Sequence, residues 1–318
     1  MFYFATFKEM KQYTNHIIMI KPIKFQYNSE TAVNNFYQKN SAIMTEEEVQ
    51  SMALDEFNNL VKKLERHSVK VTVFNDVNLN TPDAVFPNNW ISTHQEGDIC
   101  IYPMFAKNRR KERRNDILEY LKENFLVAEF RDYVRDFEGN NMFLEGTGSM
   151  VLDRINKIAY ASISARTHKD VFLKWCSDMK FNPVSFSAFQ LNKDSISPIY
   201  HTNVMMSIAD SFAVICLDSI IDLDDREKVQ RCIEDSKKEI INITQNQVVA
   251  FAGNMLQVIG DKKYLVMSTS AYNSLTIMQI EQIQKHCAII HSPLDTIELF
   301  GGGSARCMMA EVFLKEKR

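Results

Sequence analysis

The sequence predicts an α/β fold: five repeated units of strands and one helix, closed as a ring with the helices outside. Two periodicities predict it. Amphipathic helical patterns start near residues 45, 109, 167, 224 and 274, with gaps of 50 to 64 residues. Short apolar runs, each after a polar or glycine-containing approach, begin near 90, 150, 204, 255 and 307, with gaps of 51 to 60 residues. Units this small cannot each close a core and must bury their apolar faces against one another. Composition allows such a core: the 318 residues are 45% hydrophobic and 24% charged, which excludes wholesale disorder.

The elements follow in chain order. Ile17-Ile18-Met19-Ile20 reads as the first strand. Thr45 and Glu48 form a capping box, and Val49, Met52, Ala53, Phe57, Leu60, Val61 and Leu64 continue as one apolar helical stripe. A second helix is expected over about 110–125, with Ile117, Leu118, Leu121 and Phe125 on one face. A third follows Thr167, with Val171, Phe172 and Trp175. A fourth is expected over about 224–241 with Val229, Cys232, Ile233 and Ile240, and a fifth starts near Ser274 with Ile277, Ile280 and Ile283. Between them lie second strands near 69–74, 157–161, 213–217 and 264–268. The whole chain, 1–318, is expected to be one domain, with the ring over about 16–314 and short terminal extensions.

Charge and cysteine usage narrow the function classes. The net charge of −3 gives no overall field toward nucleic acid or an anionic membrane. No uninterrupted apolar stretch reaches the ~18–20 residues of a membrane span. The apolar opening Met1-Phe2-Tyr3-Phe4-Ala5 is cut off by Lys8, Glu9 and Lys11, which does not read as a secretion signal. The six cysteines show no CxxC pair, as in a reduced cytoplasmic protein. Lys107, Arg109, Arg110, Lys111, Arg113 and Arg114 place six basic residues in eight positions, and they are expected to form a solvated face. No zinc-ligand spacing, P-loop or GxGxxG occurs, so no metal or nucleotide cofactor is implied.

The polar approaches to the strands carry a chemical set rather than a packing set. Gly301-Gly302-Gly303 runs into Ser304-Ala305-Arg306-Cys307, and glycine permits close approach of backbone to a ligand. A thiol presented at a pocket and a buried strand cysteine beside Met308 and Met309 fit this segment equally well. On a strand, Arg306 would point away from Cys307. His201 heads a repeat strand in the place that Cys307 takes in its own unit. Glu145 sits before Gly146 and Gly148, and Asp83 follows Pro82 in a turn. A Cys–His–acid set is a standard means of activating a nucleophile and moving protons at neutral pH.

Taken together, Glu145 in its EG turn, Ser164-Ala165-Arg166-Thr167, His201-Thr202-Asn203 and the closing GGG-x-x-R-C resemble the guanidino-group-modifying superfamily of arginine deiminases, dimethylarginine hydrolases, amidinotransferases and succinylarginine dihydrolase. Within it the chain looks most like the citrulline-utilisation hydrolase group, through Met19-Ile20-Lys21-Pro22, Phe86-Pro87-Asn88-Asn89-Trp90 and His201-Thr202-Asn203-Val204-Met205. The resemblance implies a five-bladed pseudo-symmetric β/α propeller, the pentein fold, of ββαβ-type units. It implies Cys307 as nucleophile on the central carbon of a guanidino or ureido group, His201 as general acid/base, and Glu145 orienting His201 or the substrate. It implies Asp83, Asn89, Arg166, Asn203 and Asn254 as substrate-binding residues, with Arg166 able to fork onto an α-carboxylate. Asn89 and Asn203 stand where arginine deiminases carry carboxylates. Asn supplies a donor and an acceptor without charge, which favours a less cationic group such as the ureido group of citrulline.

The expectation is a cofactor-free hydrolase of carbon–nitrogen bonds in linear amidines or amides, acting on a citrulline or arginine derivative. Amidinotransferase or succinylarginine dihydrolase-like chemistry stays open. So does a non-catalytic ring of the same fold that binds an amino acid or a protein. The partner is a small amino-acid substrate, with neither nucleic acid nor membrane, and a homo-oligomer is compatible with the sequence.

Overall fold

The computed structural model describes residues 10–40, 44–192 and 195–317; the apolar opening Met1–Ala5 lies outside them. Five three-stranded sheets share one plan. In each, a short strand pairs antiparallel with a middle strand, and the middle strand pairs parallel with a third. Four sheets take their strands in chain order, the first passing over the short strand Phe125–Leu126, which pairs with Lys315–Glu316. They are Ile91–Thr93, Asp98–Ile101 and Glu129–Asp132; Val151–Asp153, Ile158–Ser162 and Asn182–Phe186; Met206–Ile208, Phe212–Ile215 and Glu239–Asn242; and Leu256–Ile259, Lys263–Ser268 and Ala288–Ser292. The remaining sheet joins the two ends of the chain. Ala310–Glu311 pairs antiparallel with His16–Lys21, which pairs parallel with Lys70–Asn75.

A parallel pair needs a crossover, and a helix supplies it each time. The helices are Glu46–Arg66, Asn115–Asn124, Lys169–Met179, Leu223–Asp235 and Ile277–Gln284. The first is capped by the expected box of Thr45 and Glu48. It buries Val49, Ala53, Phe57, Leu60 and Leu64, whereas Met52 is exposed. In the third, Val171, Phe172 and Trp175 are buried. Each such side chain contributes about 1.5–3 kcal/mol by leaving water.

Several boundaries differ from the sequence expectation. The fourth helix ends at Asp235, and Ile240 lies instead on the strand Glu239–Asn242. Lys237 takes a positive φ of 60° and turns the chain into that strand. The second helix begins only at Asn115, after a 3₁₀ turn over Arg109–Glu112. Ile277 is exposed because it opens its helix, while Ile283 is buried one face further on. A hairpin of Phe189–Asn192 and Ser195–Pro198 lies outside the repeat. Among the described residues no helix is long and apolar enough to cross a membrane.

Candidate active site

Each short strand is entered through a single turn. Three of these turns are Pro87–Asn89, Gly146–Ser149 and Thr202–Val204. The other two are turns at 251–253 and 305–308. The turns bond to one another in succession. Thr147 Oγ1 donates to Asn88 O at 3.3 Å, and Thr202 Oγ1 donates to Ser149 O at 2.6 Å. Asn254 Nδ2 donates to Asn203 O at 3.0 Å, and the Arg306 amide donates to Asn254 Oδ1 at 2.9 Å. The glycines permit this approach. A Cβ on Gly148 would lie 2.3 Å from Asn89 Nδ2 and 2.8 Å from His201 Nδ1. Gly302 ends the helix Asp295–Gly301 with φ of 63°, which suits glycine, and turns the chain toward Cys307.

Cys307 is therefore in a turn, not on a strand, and the expected strand begins only at Ala310. Its amide donates to Ser304 O at 3.0 Å. Its Sγ accepts from Asn203 Nδ2 at 3.3 Å and from Asn254 Nδ2 at 3.2 Å. Arg306 turns away toward Met309 O and Glu311, as the sequence implied, although by turn geometry rather than strand alternation.

His201 Nε2 lies 2.8 Å from Glu145 Oε2, and both residues are fully buried. Burial pushes the Glu145 carboxyl upward, but Arg166, His201 and Arg109 outweigh it and hold it at about 2. The carboxylate is thus ionised and only accepts, so Nε2 carries the proton and donates. Burial pulls His201 down to about 4, against the pull of Glu145. At neutral pH the ring is neutral, with its lone pair on Nδ1.

A narrow cavity joins these groups. Asp83, Asn89, Arg166, His201, Cys307 and Arg109 line it, and Asn35, Phe86, Tyr200 and the glycines 301 and 303 complete its wall. Its open space is about 10 Å³, room for about one water. Asp83 Oδ2 accepts from Asn28 Nδ2 at 2.7 Å and from Thr31 Oγ1 at 3.0 Å. Burial raises the Asp83 pKa despite Arg109. Asn89 Oδ1 accepts from Arg109 Nη1 at 2.8 Å. All eight residues singled out in the sequence thus meet here, five on the cavity wall and Glu145, Asn203 and Asn254 through His201 and Cys307.

One expectation is corrected. The basic run 107–114 is not a uniformly solvated face. Arg109 is 2% exposed, forks onto Glu112 at 2.9 Å through both Nε and Nη2, and lies 3.9 Å from Asp83 and from Glu145. Burial works against its charge, but those carboxylates hold it firmly ionised. A lone acid three residues after Arg109 was the available signal, since an i,i+3 pair can neutralise a charge on its way into the interior. Arg110 and Arg113 pair with Glu138, while Lys107 and Lys111 are exposed. The Arg166 fork is also engaged. Its Nε and Nη2 donate to Asn34 Oδ1 at 2.8 and 2.6 Å, and Nη2 also donates to Thr31 O at 2.7 Å. The strap over residues 28–38 thus covers the site, and no periodic pattern announced it.

Chemically, the arrangement offers a thiol held by two amide donors, a neutral imidazole oriented by an ionised carboxylate, and two buried guanidinium groups on the cavity wall. Among the described residues no cluster of three or more His, Cys, Asp or Glu could hold a metal ion. The fold is similar to that of ArgZ, an arginine dihydrolase from the ornithine-ammonia cycle in cyanobacteria (TM-score 0.71, 16% identity, 93% of this chain and 40% of that chain). The chain therefore spans well under half of that protein. The product-bound N-terminal domain of ArgZ matches over 96% of this chain and 98% of that chain (TM-score 0.70, 16% identity). DDAH from Pseudomonas aeruginosa, a mutant complexed with citrulline, matches over 94% of this chain and 100% of that chain (TM-score 0.63, 13% identity). At such identities the likeness shows the fold alone. No curated protein sequence matches. The family model described as "N,N dimethylarginine dimethylhydrolase, eukaryotic" matches residues 21–314, and the chain belongs to that family, whose hydrolases act on carbon–nitrogen bonds of guanidino groups within the guanidino-group-modifying superfamily.

Proposed function

We propose that the protein is a cysteine-dependent hydrolase of the ureido or guanidino group of a small amino acid, with the ureido group preferred. The observation that carries the preference is Asn89. Arg109 has no acceptor, so its bond to Oδ1 fixes the amide and leaves Nδ2 toward Gly148. Asn89 Nδ2 is buried without a partner, and so is Asp83 Oδ1. One asks for an acceptor and the other for a donor. A ureido group supplies both through C=O and N–H. A guanidinium supplies only N–H and leaves Nδ2 unpaired, at about 1–3 kcal/mol.

In this reading His201 Nδ1 takes the proton of the Cys307 thiol as the sulfur attacks the ureido carbon, and then passes it to the amine that leaves. Its neutral ring then takes a proton from water, which cleaves the thioester-like adduct. From citrulline, the amine is ornithine and the carbamoyl group departs as carbon dioxide and ammonia. Asn203 and Asn254 steady the sulfur. Arg166 receives the α-carboxylate once Asn34 and Thr31 give way, since the closed cavity has no room for an amino acid. The five sheets act as blades of a five-bladed propeller, one domain over 1–318. The turn-to-turn bonds and the pairing of the chain ends support this. Six unpaired cysteines suit a cytoplasmic setting.

The test is a side-by-side assay of citrulline, arginine, methylated arginines and succinylarginine for released ammonia, amine and ornithine. We expect the highest kcat/KM on citrulline. Asn89→Asp should shift the preference toward arginine by about tenfold or more, the equivalent of ~1.4 kcal/mol. Equal or faster turnover of free arginine by the unmodified protein would sink the ureido preference.

A further inference from the structure

A second cavity lies behind the candidate site. Arg154, Arg306 and Glu311 are on its wall, together with Asn203, whose amide reaches Cys307 Sγ. Both arginines are more than nine-tenths buried. They converge on one oxygen: Glu311 Oε2 is 2.9 Å from Arg306 Nη2 and 3.5 Å from Arg154 Nη2. Among the described residues, Glu311 is the only carboxylate within ion-pair distance of either guanidinium.

The remaining contacts are neutral and hold the two forks in place. Arg154 Nη1 donates to His94 Nδ1 at 3.3 Å, and its guanidinium lies 4.0 Å from the centre of the Phe313 ring. His94 is buried and kept neutral, so it adds no charge. Arg306 Nη1 donates to Met309 O at 2.9 Å. Two buried cations thus face one anion, and an uncompensated buried charge is costly.

We propose that this cavity binds one halide-sized anion, chloride in ordinary buffers, between the guanidinium groups of Arg154 and Arg306. Its volume of about 30 Å³ suits one or two water-sized occupants and excludes a tetrahedral oxoanion. The anion supplies the missing negative charge and braces the turn that carries Cys307, because Arg306 immediately precedes it. An anion bound only to the folded state also stabilises that state by mass action.

Two measurements on the whole protein test this. Crystals soaked in sodium bromide should show an anomalous peak within hydrogen-bond distance of both guanidinium groups. An empty cavity, or a water without anomalous signal, would overturn the proposal. The midpoint of thermal unfolding should be higher in sodium chloride than in sodium gluconate at equal ionic strength, and Arg154→Met should remove that difference. Equal midpoints in the two salts, or the same difference in the variant, would also overturn it. If the variant does not fold, the bromide map of the unmodified protein still decides.

Discussion

The pair His201–Glu145 contributes to how the molecule responds to acid. A histidine with its folded pKa at about 4, below the ordinary value of 6.5, is charged in the unfolded chain before it is charged in the folded one. Its contribution to stability is therefore complete above pH 6.5 and is lost as pH falls toward 4. Glu145, held at about 2, adds its own loss further down, as pH falls from 4.5 toward 2. Between pH 6.5 and 4.5, urea unfolding should show a loss of stability in the unmodified protein that exceeds the loss in His201→Gln by on the order of 2 kcal/mol; equal losses in both proteins would contradict the assignment. Arg109 gives a second prediction at this scale. Arg109→Met leaves Glu112 and Asp83 buried without their cation and should cost about 3–5 kcal/mol. A solvated face would cost within ±0.5 kcal/mol of nothing, so urea midpoints separate the two readings. Arg109 also shows where the sequence ran out. Among six clustered basic residues, the acid three positions after Arg109 is the one local hint of which of them the fold points inward.

Elements were more legible than contacts. The stripe from Val49 to Leu64 and the box of Thr45 and Glu48 announced the first helix, because helical period and capping are local properties. The strand at Glu239–Asn242 was not separable from the helix before it, since Ile240 continues the helical spacing and only the parallel partner Phe212–Ile215 fixes it as a strand. The single turns before the short strands were read only as polar approaches, yet they position most of the chemistry. Gly148 lies where two of them meet. Gly148→Ala should lower kcat/KM by at least about tenfold, the effect of a small misplacement at a reacting centre, by displacing His201 or Asn89, with unchanged far-ultraviolet circular dichroism. Unaltered kinetics would show that the two turns yield without consequence.

At the scale of the whole molecule, the repeat spacing foretold five units of strands and one helix, and the described residues form five three-stranded sheets, each with a crossover helix. It did not foretell that the fifth is shared, with Ala310–Glu311 pairing to His16–Lys21 across nearly the full chain. Nor did it foretell the strap over 28–38, whose polar side chains satisfy Asp83 and Arg166 only in three dimensions. The candidate residues were recoverable because each heads a repeat or matches a motif, while their pairing distances depend on the sheets meeting. The proposed hydrolysis depends on covalent chemistry at Cys307. Intact-protein mass spectrometry of an acid-quenched reaction with citrulline tests it most directly. A carbamoyl adduct is expected on Cys307 and is absent from folded Cys307→Ser, which forms no ornithine. Ornithine release by the Cys307→Ser protein would contradict it.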